Sequence, residues 1–69
     1  MDTHKWIRAE EQKPNALEWV LCYLPGHRDP HYDVLCWKNG YWEDVFRHCL
    51  ERDAVTHWMP LPEAPEVAI

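Results

Sequence analysis

The sequence predicts a small, mainly β domain: an antiparallel sheet of three to four strands with at most one short helix. Three observations carry that prediction. Trp19-Val20-Leu21-Cys22-Tyr23-Leu24 is an unbroken run of apolar and aromatic residues closed by Pro25-Gly26, the make-up of a short strand. Asn39-Gly40 stands between two aromatic-bearing segments, and that dipeptide suits the left-handed backbone of a two-residue hairpin turn. Val55-Thr56-His57-Trp58-Met59 is rich in β-formers and stops at Pro60-Leu61-Pro62, where neither proline can donate to a ladder.

The opening segment, Trp6-Ile7 and then polar residues through Pro14-Asn15, carries no clear element. Strand 19–24 lacks alternation, so both of its faces are expected to be buried. Residues 25–30 form a loop carrying His27, Arg28 and Asp29. His31 to Trp37 is the next strand, and the Asn39-Gly40 turn sets its register against the strand that follows. Trp37 then faces Trp42, Cys36 faces Glu43 and Val34 faces Val45, in a hairpin expected at the centre of the sheet. Val45, Phe46, Cys49 and Leu50 fall at spacings that suit one or two helical turns or an irregular connection. The last strand spans 55–59, Leu61 is expected to pack down onto the sheet, and residues 63–69 read as an extended tail. One domain is expected over residues 1–69, with its core in 6–62.

A chain of 69 residues can build one small core, and five tryptophans are its largest apolar resource. Each removes about 200 Å² from water when buried, worth about 5 kcal/mol at about 25 cal/mol per Å². Most of them must therefore be inside, with Trp19 and Trp58 assigned to the core. Together with Tyr23, Tyr32 and Tyr41, however, the aromatics exceed what one face of a three-strand sheet can hide. Some must lie on the second face or at an edge, where they would mark a partner surface or a homodimer interface.

The formal charge is −5, from twelve acidic and seven basic side chains, and the basic ones are scattered singly. A phosphate-tracking surface would cluster them, so direct nucleic-acid binding is not expected. The acidic residues at Glu10-Glu11, Glu43-Asp44, Glu63 and Glu66 read as solvated faces, a DNA-mimicking surface being the sharper alternative. No apolar stretch reaches transmembrane length, residues 1–5 are polar, and three cysteines is an odd number. The expected location is a reducing cytoplasm, away from membranes.

Trp6-Ile7, Trp19-Val20-Leu21-Cys22-Tyr23, the Gly40-Tyr41-Trp42 turn and Val55-Thr56-His57-Trp58-Met59-Pro60-Leu61-Pro62 occur in an order that resembles the domain-of-unknown-function 551 family. The resemblance covers residues 6–65 and departs from the family at Lys13-Pro14-Asn15, where a Leu-Pro-Glu-type turn is usual. It implies no activity and no catalytic residue. It does imply a setting: a short protein encoded by a bacteriophage or prophage and acting in the cytoplasm of the bacterial host. By analogy with other small phage proteins, that setting implies a non-catalytic accessory protein that binds a host protein, with a defence system as one target.

Two chemical constellations compete with that reading. Cys22, His27, His31 and Cys36 are four potential zinc ligands, the alternative being a small structural zinc module. No Cys-x2-Cys pair is present, and pairing across the 25–30 loop would set Cys22 opposite Asp33 and Cys36 opposite Trp19. The thiols would then stand apart, so no metal or other cofactor is expected. His48-Cys49 with His57 suggests a thiol and its base, but adjacent residues diverge and no orienting group is identifiable, so no enzyme is expected. His57 reads as a partly buried histidine bonded to backbone near the Pro60-Leu61-Pro62 bend, the alternative being a ligand contact or pH-sensitive group at a binding edge. The binding surface is expected at the hairpin tip and the preceding loop, on Arg28, Lys38, Tyr41, Trp42 and Glu43. A small nucleotide-like ligand held between aromatic rings is the alternative occupant.

Overall fold

The computed structural model describes residues 5–27 and 29–63. Alternation of β-forming residues with short turns gives six strands: β1 (Ile7–Arg8), β2 (Trp19–Tyr23), β3 (Tyr32–Trp37), β4 (Tyr41–Asp44), β5 (Cys49–Glu51) and β6 (His57–Pro60). One turn of 3-10 helix, Arg52–Ala54, is the only helical piece among the described residues. All pairings are antiparallel, in the order β1-β6-β2-β3-β4-β5. The mainly β, antiparallel expectation holds, but the sheet has six strands rather than three to four. The two additions are the shortest strands, and both lie at edges.

The β3–β4 turn forms as its residues dictate. Asn39 (φ 60°) and Gly40 (φ 145°) both take positive φ, and the Lys38 N–H donates to the Tyr41 carbonyl at 2.9 Å. The register pairs Trp37 with Trp42 and Cys36 with Glu43, and the two indoles pack with centroids 5.1 Å apart. Pairing ends at Leu35 and Asp44, so Val34 does not face Val45. The cause is the Asp44 carboxylate, whose Oδ1 accepts from the Phe46 N–H at 2.8 Å and the His48 N–H at 2.9 Å. That local hydrogen bonding turns the chain through 45–48, with Arg47 at φ 71°, where helical turns had been one expectation. The hairpin is also not central, because β6 returns to pair with β2 and leaves β2 and β3 in the middle.

Side chains alternate across the sheet, and one face is the core. Val20, Cys22, Leu24, Leu35 and Trp42 are 0% exposed, Trp58 is 5% exposed, and Ile7, Trp37 and Leu50 pack against them. Two connecting segments supply the cover, contributing Ala9 from one and Ala54 and Val55 from the other. Indole hydrogen bonds fasten both: Trp58 Nε1 donates to the Gln12 carbonyl at 2.8 Å and Trp42 Nε1 to the Arg52 carbonyl at 3.2 Å. Lys13 adds a bond from Nζ to the Ala9 carbonyl at 2.6 Å and lies 5.2 Å from the Trp37 ring centre.

The opposite face has no second layer among the described residues. β2 therefore alternates in burial instead of being buried on both faces, and its Trp19 is 40% exposed. Leu61, also 40% exposed, does not pack down. Trp58→Ala should cost about 3–5 kcal/mol in chemical denaturation. Trp19→Ala should cost only about 1–2 kcal/mol, because its ring is incompletely desolvated. Equal losses for the two variants would contradict this division of the sheet.

Candidate binding face

On the open face the register collects aromatic rings at one end. Tyr23 of β2 lies directly opposite Tyr32 of β3 and, on its other side, opposite His57 of β6. Trp6, just before β1, leans over the same place. Its ring centroid is 6.3 Å from Tyr23 and 6.2 Å from Tyr32, nearly parallel to the latter at 24°. Tyr23 lies 5.4 Å from Tyr32, 6.4 Å from His57 and 6.3 Å from His31, and so touches every other ring of the cluster. Trp6, Tyr23, Tyr32 and His57 line a shallow depression of about 330 Å³. Tyr23 is half-buried at its floor, while Trp6 and Tyr32 are exposed at its walls. His57 Nδ1 is 2.9 Å from the Thr56 hydroxyl, so its ring is held by that side chain and by the tyrosine, not by backbone near Pro60.

The residues expected to form the binding surface are distributed otherwise. Lys38 and Glu43 pair at 3.3 Å beside the hairpin, and Tyr41 is exposed. Trp42 is fully buried, because alternation along β4 turns it to the core face with its N–H committed to Arg52; it has no surface to offer a partner. Arg28 lies outside the described residues. The 25–30 loop and the hairpin tip sit at opposite ends of β3, whose six residues at about 3.3 Å each separate them by about 20 Å. The structure does not bring them together. A second depression, of about 390 Å³, is bordered by Arg8, Glu10, Lys13, Arg52 and Asp53. Its Arg8 pairs with Glu10 at 2.7 Å and Glu11 at 3.7 Å in exposed contacts.

The four candidate zinc ligands do not converge. The register is the expected one, Cys22 opposite Asp33 and Cys36 opposite Trp19, and it puts the two thiols on opposite faces. His27 and His31 are exposed in the loop. Among the described residues, no group of three or more histidine, cysteine or acidic side chains is placed to hold a metal ion. The thiol and imidazole considered for catalysis are also apart. Cys49 is on β5 and His57 on β6, four strand spacings away, or about 19 Å. His48 instead pairs its Nδ1 with Asp44 Oδ2 at 3.2 Å.

The aromatic cluster was only partly legible in the sequence. Tyr23 opposite Tyr32 follows from the same register that sets Cys22 opposite Asp33. His57 and Trp6 join only because β6 inserts between β1 and β2, a long-range pairing without a local signal.

The cysteines yield a test of their own. Burial pushes the Cys22 thiol up to about 12 and, less far, raises that of Cys36. A raised thiol keeps its proton in the folded chain after the unfolded chain has lost it, so its contribution is whole below about pH 9 and lost as pH rises towards about 12. The unfolding free energy should therefore fall across that window, by up to about 1.4 kcal/mol per pH unit for Cys22 alone. A Cys22→Ala variant should show a shallower decline. In native labelling with a thiol reagent, exposed Cys49 should react and the two buried thiols should stay blocked.

The family model described as Protein of unknown function (DUF551) matches residues 5–66. No curated protein and no solved structure matches the chain.

Proposed function

The chain belongs to the DUF551 family, and we propose that it is a non-catalytic accessory protein of a bacteriophage or prophage that binds a protein of its bacterial host. On this reading the partner is a defence or regulatory factor, met in the host cytoplasm and disabled by occupation of one of its surfaces. The supporting observation is the group of Trp6, Tyr23 and Tyr32 at one end of an open sheet face. Rigid aromatic rings supply large contact area at low entropy cost, and clustered ones make interface anchors. A second reading, a small planar ligand such as a nucleotide laid on one exposed ring, draws on the accessibility of Trp6 and Tyr32.

Affinity capture from a bacterial lysate tests the proposal. The wild-type chain should retain one host protein, Trp6→Ala and Tyr32→Ala should each weaken binding by about 1–3 kcal/mol, and Tyr41→Ala should retain it. Loss with Tyr41→Ala alone would move the surface to the hairpin end. Capture of nothing, together with a fluorescence response to added nucleotide, would favour the second reading. Capture of the chain by itself would make the open face a homodimer interface.

A further inference from the structure

We infer that the depression between Trp6, Tyr23, Tyr32 and His57 is a receptor for an uncharged, proline-rich segment in the extended polyproline conformation, presented by the partner protein. The inference rests on the reading of this face as a protein-binding surface and names the kind of segment it takes.

Charge matching selects the occupant. Among the described residues the lining holds no carboxylate, so these residues lack the counter-charge that a bound ammonium group would gain beside the ring faces. Its described residues include no lysine or arginine either, and the chain carries a net charge of −5, so they offer a phosphate-bearing ligand no compensating cation. A neutral occupant fits both facts. Ring geometry adds a further restriction. The Trp6 and Tyr32 centroids are 6.2 Å apart, less than the roughly 7 Å that two stacking contacts of about 3.5 Å would need, so a planar base cannot slide between them. A puckered pyrrolidine ring needs only to rest against the exposed edges and faces, with Tyr23 beneath it.

Hydrogen-bond chemistry points the same way. The lining residues carry donors, the Trp6 indole N–H and the Tyr23 and Tyr32 hydroxyls, for none of which the described residues supply an acceptor. His57 has its Nδ1 engaged by Thr56, and its second ring nitrogen has no partner among the described residues. A polyproline segment is the natural counterpart, because its prolines have no N–H and its carbonyls form no internal bonds. Its pre-ordered backbone also lowers the entropy cost of docking on a shallow surface.

The test is a titration of the full chain with an uncharged synthetic peptide of about ten residues containing Pro-Pro-Leu-Pro, followed by amide and indole resonances in two-dimensional NMR. Shifts should concentrate on Trp6, Tyr23, Tyr32 and His57. The same peptide with alanine for proline should bind at least roughly tenfold more weakly, as should Trp6→Ala and Tyr32→Ala with the original peptide. Trp19→Ala, on the same face but outside the depression, should bind it normally, and the same spectra report whether each variant is folded. Equal response to the alanine peptide, or shifts only for adenosine monophosphate or tetramethylammonium, would overturn the inference. If the host protein is captured through Trp6 and Tyr32 while the peptide leaves the spectrum unchanged, this inference fails and the protein-binding reading stands. Concentration-dependent shifts at the same residues without peptide, abolished by Pro60→Ala and Pro62→Ala, would make the occupant a second copy's own Pro60-Leu61-Pro62 and overturn the assignment to a partner protein.

Discussion

Two indole hydrogen bonds hold this molecule in its shape. A sheet of short strands buries one face only if something is laid across it, and here the cover is loop and a single 3-10 turn. Loops carry polar backbone that must be satisfied once water is excluded. Trp58 and Trp42 meet both needs at once, because each ring fills the core while its N–H reaches out to a carbonyl of a covering segment, Gln12 in one case and Arg52 in the other. A phenylalanine could supply the area and not the bond. Leucine would supply neither the span nor the donor. The tryptophan content is therefore structural before it is functional.

Among the described residues the same economy leaves the second face open. Residues 9–14 and 52–55 are spent on the core side. Alternation along β2 and β3 nevertheless places Trp19, Tyr23 and Tyr32 there, half-buried or exposed. Two of the neighbouring rings converge on Tyr23 because β6 comes back between β1 and β2, bringing His57 beside it and Trp6, at the start of β1, over it. Trp6 and Tyr32 thus gain contacts from each other while remaining accessible. Aromatic surface retained in that form is a cost to solubility unless it serves recognition.

Much of the sheet was legible from the sequence, for reasons that can be traced to particular residues. Asn39-Gly40 determines a turn of fixed twist, and the turn then determines every pair up to Leu35 and Asp44. The β2–β3 register followed from the spacing across the 25–30 loop. Local pattern left 45–51 open between helical turns and an irregular connection, and the Asp44 carboxylate decides it by capturing two backbone N–H groups and turning the chain. It misled at Trp42, which looked like an anchor at the hairpin tip and is a core residue, since its neighbour in space is the 3-10 turn ten residues on. The candidate site shares this limit. Its Tyr23–Tyr32 half is local, whereas Trp6 and His57 depend on an insertion that joins residues about fifty positions apart.

Hydrogen exchange of the five indole N–H groups, read separately by NMR, addresses the central claim most directly. If Trp42 and Trp58 clamp a single buried face, their indole protons should exchange only on global unfolding, while those of Trp6 and Trp19 exchange near the rate of a free indole. Protection of Trp6 comparable with that of Trp58 in the isolated chain would contradict the account, because it would mean that the aromatic face is already covered.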